Sequence, residues 1–130
     1  MEIVNAHIGK ELYKTTIQTA TNTIISDEPE EVGGKNLGFS PKELLAAALS
    51  ACTSATLRMY ADRKGWDLAE VKVEVQLERD VKENKSFISR KVELLGNLDD
   101  EQRAKLLVVA NSCPLHKILT NPIEITTSLV

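Results

Sequence analysis

One long helix is predicted by the run Phe39-Ser40-Pro41-Lys42-Glu43-Leu44-Leu45-Ala46-Ala47-Ala48-Leu49-Ser50-Ala51-Cys52. Ser40 is a favourable N-cap, Pro41 suits the first helical position, and Glu43 completes a Ser-x-x-Glu capping box. Apolar residues continue beyond this run at three- and four-residue steps, and Gly65 is a suitable end for the helix. We therefore expect a central helix over residues 40–64.

The apolar face of this helix is predicted to consist mostly of small side chains. Its expected members are Leu44, Ala48, Ala51, Cys52, Ala55 and Met59. Small side chains let another element approach the helix backbone closely, but they bury little area themselves. The helix is therefore expected to need a neighbouring element or a partner subunit, with Cys52 on its buried face.

Length and composition indicate one globular domain over residues 1–130. The chain is 42% hydrophobic and 27% charged, and its length suffices for one core but not for two. The formal charge of -3 leaves no dense basic face, so neither nucleic acid nor an anionic membrane is an expected partner. No signal-peptide pattern opens the chain and no run approaches the roughly 20 apolar residues of a membrane span, so we expect a cytoplasmic protein.

Short strands are predicted before the helix, in residues 1–26, because three β-prone runs there are separated by turn residues. His7 falls in the first of them and is expected to be an exposed strand residue. The acidic and then glycine-rich segment 27–36 is interpreted as a loop that completes this first section, 1–36.

A hairpin, a second helix and a last strand are predicted over residues 67–130. The run 71–79 alternates apolar and polar residues and is expected to pair with 87–95. Asp99 and Gln102 form a second capping box, in front of an apolar stripe of Leu106, Leu107, Ala110 and Cys113. Pro114 interrupts this helix, and residues 123–130 are predicted to form a final strand.

The two cysteines, Cys52 and Cys113, are the candidate reactive residues. In a reducing cytoplasm, two distant cysteines are typically free thiols. If Pro114 begins a short helix, Cys113 is its N-cap, where the helix end, Lys117 and His116 favour the thiolate. Cys52 would be less acidic by burial alone. Free cysteine is also commonly an ordinary buried small residue, and the spacing leaves that interpretation open.

Two further candidates near these cysteines have simpler explanations. His116 with the two cysteines would give three zinc ligands, but there is no Cys-x-x-Cys pair and no fourth ligand at a supporting spacing, so no metal is expected. Glu43 is first a capping residue and only second a catalytic group, because nine positions place it on the opposite side of an ideal helix from Cys52.

The runs Gly38–Cys52 and Cys113-Pro114-Leu115-His116-Lys117 resemble the OsmC/Ohr family, the osmotically inducible and organic hydroperoxide resistance proteins, and its OsmC-like branch in particular. The resemblance implies an α/β (α+β) fold, with antiparallel sheets packed around long central helices in an intertwined homodimer whose sites lie at the subunit interface. It also implies a thiol peroxidase of oxidative-stress defence that reduces organic hydroperoxides and uses no cofactor. In that family pattern Cys52 matches the peroxidatic cysteine and Cys113 the resolving one, and an external dithiol reduces their disulfide.

The chain departs from this family pattern in its activating groups. Peroxidases of the Ohr type use an arginine from the early strands, whereas this chain has none before Arg58, and lysine lacks the planar fork of arginine. The glutamate of the family's first helical turn falls on Lys42, one position from Glu43. Lys42, Glu43 and His116 are therefore only possible supporting residues. The alternative is a non-enzymatic redox sensor or a protein that binds a small apolar ligand, and a plain structural role for both cysteines also stays open.

Overall fold

The computed structural model describes residues 1–130, which form two compact units, Met1–Ala46 and Ala47–Val130. The prediction of one domain over the whole chain stays a prediction. Mixed α and β structure with antiparallel sheets is confirmed, as the following elements show.

The first unit contains a three-stranded antiparallel meander of β1 (Asn5–Ile8), β2 (Thr15–Gln18) and β3 (Thr23–Ser26). The three short strands predicted in residues 1–26 are thus confirmed. The segment that follows is a loop with a single 3-10 turn at Glu30–Val32. Consistent with the prediction, His7 is exposed on β1.

Asp27 organises this loop, because its carboxylate accepts four backbone hydrogen bonds. Oδ1 accepts from the N–H groups of Tyr13 at 3.1 Å and Glu28 at 2.8 Å, and Oδ2 from those of Lys35 and Leu37, both at 3.2 Å. Burial by itself raises the pKa of Asp27, but the four N–H donors outweigh it and hold that pKa below its ordinary value. The carboxylate therefore replaces the backbone acceptors that a loop lacks.

The central helix α1 spans Pro41–Lys64, and its predicted capping box is confirmed. The Ser40 N–H donates to Glu43 Oε1 at 2.8 Å, and the Glu43 N–H donates to Ser40 Oγ at 3.2 Å. The amide and hydroxyl of Ser40 lower the pKa of Glu43. Glu43 is thus engaged at the helix start in the way that the capping pattern predicts.

Within a single chain, the buried face of α1 is not the predicted one. The buried residues are Leu49, Thr53, Leu57 and Ala61, whereas Met59 is 62% exposed. Ala48, Ala51 and Ala55 of the predicted stripe are exposed as well, and Cys52 is half-buried at the edge between the two faces. The hydrophobic pattern misled because alanine occurs on both faces, so the larger Leu49 and Leu57 determine which face packs inward.

A long antiparallel hairpin follows, with β4 over Asp67–Asp80 and β5 over Lys85–Asn97. The predicted hairpin is confirmed, and each strand extends beyond the predicted runs. The register pairs Val75 with Arg90, and a register shift lies between Leu68 and Glu70. Gly96, at φ 143°, faces this shift, where a Cβ atom would lie 2.1 Å from the Asp67 carbonyl oxygen, so only glycine fits there.

Two helices complete the second unit, α2 over Asp100–Ala110 and α3 over Pro114–Leu119. The Asp99–Gln102 capping box is confirmed. The break at Pro114 is also confirmed. Leu106 and Ala110 are buried as predicted, but Leu107 is 59% exposed.

The core of the second unit joins both long helices to the hairpin. Its buried residues are Leu57, Ala61, Leu68, Leu106 and Ala110. Val92 and Leu94 of β5 pack against this cluster. The inward face of β5 is thereby fixed against α1 and α2, and Arg90 lies one alternation before Val92 on the same face.

The predicted final strand is absent. Residues 123–130 contain no strand, and Ile125 and Leu129 are exposed. A strand needs a neighbouring strand for its backbone hydrogen bonds, and no segment of this chain pairs with these residues.

Helix α1 is long and apolar enough, by length and composition alone, to cross a membrane, although no span was expected from the sequence. The core helix of a soluble protein has the same properties. In this structure Leu57 and Ala61 of α1 belong to the core described above.

Candidate active site

The two cysteines meet inside the second unit. Cys52 lies half-buried on α1, and Cys113 lies fully buried between α2 and α3, and both are free thiols. The Cys52 side chain lies near the sulfur of Cys113 and helps to lower the pKa of that thiol. Two neighbouring thiols of this kind are suited to exchange between dithiol and disulfide.

Cys113 occupies the N-cap of α3, as the sequence predicted. Its Sγ accepts a hydrogen bond from the backbone N–H of His116 at 3.4 Å. Proline at the next position favours this geometry, since it begins the helix without a backbone N–H of its own. The local sequence therefore places one hydrogen-bond donor, the His116 N–H, at the Cys113 sulfur.

Arg90, from β5, supplies a cation to the same sulfur. Its Nη1 lies 3.8 Å from Cys113 Sγ and donates to Thr53 Oγ1 at 3.0 Å. Its Nη2 donates to Asn111 Oδ1 at 3.0 Å and to His116 Nδ1 at 2.9 Å. Neutral groups on α1, α3 and the turn after α2 thus hold the guanidinium in one orientation.

Thr53, one residue after Cys52, is fully buried beside this cation. Its hydroxyl donates to the Leu49 carbonyl at 2.7 Å and lies 3.9 Å from Cys113 Sγ. A hydroxyl has one proton, so Thr53 can direct it to the carbonyl or to the sulfur while it accepts from Arg90.

The surroundings of Cys113 favour its thiolate. Burial by itself raises the pKa of this thiol, but hydrogen bonds from the His116 N–H, Cys52 and Thr53, together with the charge of Arg90, lower it below the ordinary value for cysteine. These donors come from three separate elements of the second unit. The sequence-based expectation that Cys113 is an acidic thiol agrees with this result.

The ring of His116 is held as a neutral imidazole in this arrangement. Arg90 carries only donors, so Nδ1 of His116 must accept the hydrogen bond at 2.9 Å. The ring proton is therefore assigned to Nε2. His116 contributes to the site in two ways, through its backbone N–H to Cys113 and through its ring to Arg90.

A cavity of about 390 Å³ opens beside this cluster within the second unit. Apolar and polar side chains share its wall, and Arg90, Asn111 and His116 of the cysteine cluster are among them. The lining residues are Leu49, Ser86, Ile88, Arg90, Val92, Leu107, Ala110, Asn111, His116, Leu119 and Thr120. Such a cavity suits a small molecule with both apolar and polar groups.

The structure brings together three of the predicted site residues, Cys52, Cys113 and His116. Glu43 and Lys42 belong to the first unit, where Glu43 caps α1. The Lys42 side chain is exposed and makes no hydrogen bond or ion pair. The early strands carry no arginine, as the sequence shows, but Arg90 of the hairpin lies beside Cys113.

Sequence reasoning missed Arg90, Thr53 and Asn111. A signal for Arg90 existed, since it takes an apolar position in the alternation Ile88, Arg90, Val92 on β5. A charged residue on the inward face of a strand needs a buried partner, and cysteine is one candidate. Nothing local marked Thr53 or Asn111.

The model of the family described as OsmC-like protein matches residues 33–128. The chain belongs to the OsmC-like family. No curated protein matches the sequence significantly.

Solved structures of this fold include three informative examples. A protein assigned to osmotic stress and detoxification response in Psychrobacter arcticus is 25% identical, with a TM-score of 0.79 and coverage of 91% of this chain and 88% of that one. An OsmC-like protein of Mycoplasma pneumoniae is 20% identical, with a TM-score of 0.78 and coverage of 92% and 86%. The organic hydroperoxide resistance protein OhrB of Bacillus subtilis is 22% identical, with a TM-score of 0.63 and coverage of 92% and 90%. The OsmC-like fold is therefore shared across nearly the whole chain.

Proposed function

We propose that this OsmC-like protein is a cytoplasmic, thiol-dependent peroxidase that reduces organic hydroperoxides through Cys52 and Cys113, in defence against oxidative stress. The observation that carries the proposal is the proximity of the two thiols to each other, to Arg90 and to a partly apolar cavity. The similar protein of Bacillus subtilis is an organic hydroperoxide resistance protein, which agrees with this substrate class.

The proposed cycle uses two protein thiols and an external dithiol. One sulfur attacks the distal oxygen of the hydroperoxide and becomes a sulfenic acid, while the O–O bond breaks and the alcohol leaves. The second sulfur displaces the sulfenic oxygen as water, which forms the Cys52–Cys113 disulfide. An external dithiol then reduces that disulfide by two exchange steps and is itself oxidised to a disulfide.

The protein is also proposed to act as a homodimer. The exposed face of α1 consists of small and apolar side chains, namely Ala48, Ala51, Ala55 and Met59. Small residues permit close packing of two helices. A second copy of the chain would cover this face, as the OsmC/Ohr resemblance implies.

A stoichiometric oxidation tests the proposed activity. Cumene hydroperoxide added to the reduced protein should consume both thiols and yield an intramolecular Cys52–Cys113 disulfide, detected by mass spectrometry of peptides under non-reducing conditions. With dithiothreitol present, the protein should consume peroxide through many turnovers, and neither Cys52→Ser nor Cys113→Ser should do so. Intact thiols after excess hydroperoxide would refute the proposal. A single slow oxidation without cycling would instead support the redox-sensor alternative.

A further inference from the structure

Arg90 lacks an acidic partner, although it is half-buried. The protein's two ion pairs are Lys35 with Glu11 and Arg58 with Asp62. Neither pair includes Arg90. Apart from Cys113, its guanidinium contacts the neutral residues Thr53, Asn111 and His116. A partly buried cation without a counter-charge is costly, so an anion is expected beside it.

We propose that Arg90 keeps the reduced cysteines as a thiol–thiolate pair, with the negative charge on Cys113 and the remaining proton on Cys52. This inference rests on the proposed function and goes beyond it, because it assigns the charge to the cysteine that the family pattern treats as resolving. Arg90 acts as a positioning residue through the sulfur of Cys113.

The groups that face the Cys113 sulfur are one cation and three groups that can donate a hydrogen bond. Cys52 and Thr53 approach from α1, Arg90 from β5, and the His116 N–H from α3. No carboxylate faces the sulfur or hydrogen-bonds to the Arg90 guanidinium. A thiolate at Cys113 therefore neutralises Arg90 and accepts the available hydrogen bonds. A protonated Cys113 carries no charge to neutralise Arg90 and is a weaker acceptor.

The unequal exposure of the two cysteines also favours Cys113 as the thiolate. Cys113 is fully buried, while Cys52 is half-buried. A thiolate of the external dithiol is therefore expected to attack Cys52 of the disulfide. A bond forms between that sulfur and Cys52, the Cys52–Cys113 bond breaks, and Cys113 leaves with the electron pair as the stabilised thiolate.

The second exchange step restores the pair. The remaining thiol of the reductant attacks its own sulfur in the mixed disulfide, and Cys52 leaves and takes a proton. The dithiol is oxidised to a disulfide, one of its protons stays on Cys52, and the other goes to solvent. Cys113 stays a thiolate throughout this step, beside Arg90.

A thiolate titration tests the assignment. Ultraviolet absorbance of the thiolate is followed against pH in Cys52→Ser, which keeps an O–H donor to Cys113, and in Cys113→Ser. We expect the lower titration midpoint in Cys52→Ser. In the Cys52→Ser background, Arg90→Gln should raise the titration midpoint of Cys113 by about one pH unit, a tenfold change in the acid dissociation constant. Arg90→Lys, which keeps the charge, should raise it less.

Arg79→Gln is the matched control, because Arg79 lies on the same hairpin and donates to Ser86 and Asn84. It should leave the midpoint unchanged. A lower midpoint in Cys113→Ser than in Cys52→Ser would overturn the proposal, even if Arg90→Gln does not fold. An unchanged midpoint in folded Arg90→Gln would overturn the role of Arg90. Both results are independent of the peroxide assay, in which intact thiols would refute the proposed function.

Discussion

Thr53 shows how single residues shape the site. It is adjacent to Cys52 in the sequence, yet its hydroxyl serves the other cysteine by holding Arg90 at 3.0 Å. The same hydroxyl donates to the Leu49 carbonyl at 2.7 Å, an intrahelical contact that needs no partner element. A residue with a local explanation thus acquires a second role through the tertiary fold.

Replacing Thr53 by valine should weaken the site while it preserves the side-chain shape. Arg90 Nη1 loses a buried acceptor, so we expect the free energy of unfolding to fall by about 1–2 kcal/mol. The pKa of Cys113 should rise in the same variant, since its cation is less firmly held. Urea denaturation measures the first effect and thiolate titration the second. Thr53→Ser, which keeps the hydroxyl, should retain the pKa of Cys113, and equal pKa values in both variants would contradict this role.

Among the elements, the loop between β3 and α1 depends on a carboxylate rather than on regular backbone pairing. Asp27 is buried and accepts from four backbone N–H groups spread over residues 13–37. A neutral amide offers one acceptor oxygen in place of two, and its NH₂ group would face the N–H donors. The conformation of this loop should therefore depend on the charge of one side chain.

Asp27→Asn should lower the stability of the folded chain near neutral pH. The pKa of Asp27 is held below its ordinary value of 3.8 in the folded state. Its contribution is therefore present above the unfolded pKa and is lost as pH falls through the folded pKa. Denaturation curves at about pH 7 and in acid should show the variant's deficit shrinking at low pH. Asp67→Asn, at an exposed strand position, is the control, and a deficit independent of pH would contradict the charge-based explanation.

At the scale of the whole molecule, the chain leaves apolar surface uncovered. The exposed face of α1 and the unpaired residues 123–130 both carry apolar side chains that remain exposed in a single copy. Exposed apolar area of this kind is typical of a surface that a partner covers. The proposed homodimer provides that cover.

Ala51→Glu should disrupt the proposed dimer, because it places a charge and added bulk on the small-residue face of α1. Sedimentation equilibrium should show a dimer for the unchanged chain and at least a tenfold weaker association for the variant. Ala104→Glu makes the same change at an exposed position of α2 and should leave association unchanged. A monomeric unchanged chain, or equal association of all three proteins, would contradict the dimer.

The sequence by itself determined the features that depend on near neighbours. Both capping boxes join residues three positions apart, the β4–β5 hairpin follows from strict alternation, and Cys113 became an N-cap because Pro114 follows it. These features need only local geometry, so a single sequence predicts them. The two candidate cysteines were also identified in this way.

Only the tertiary structure decided which residues meet. Arg90 reaches Thr53, Cys113 and His116 across separations of 37, 23 and 26 residues, respectively. The tertiary structure also determined which face of α1 is buried, and it left residues 123–130 without a partner strand. Such outcomes depend on how side chains of unequal size pack over long sequence distances, and alanine-rich periodicity carries too little information to fix that packing.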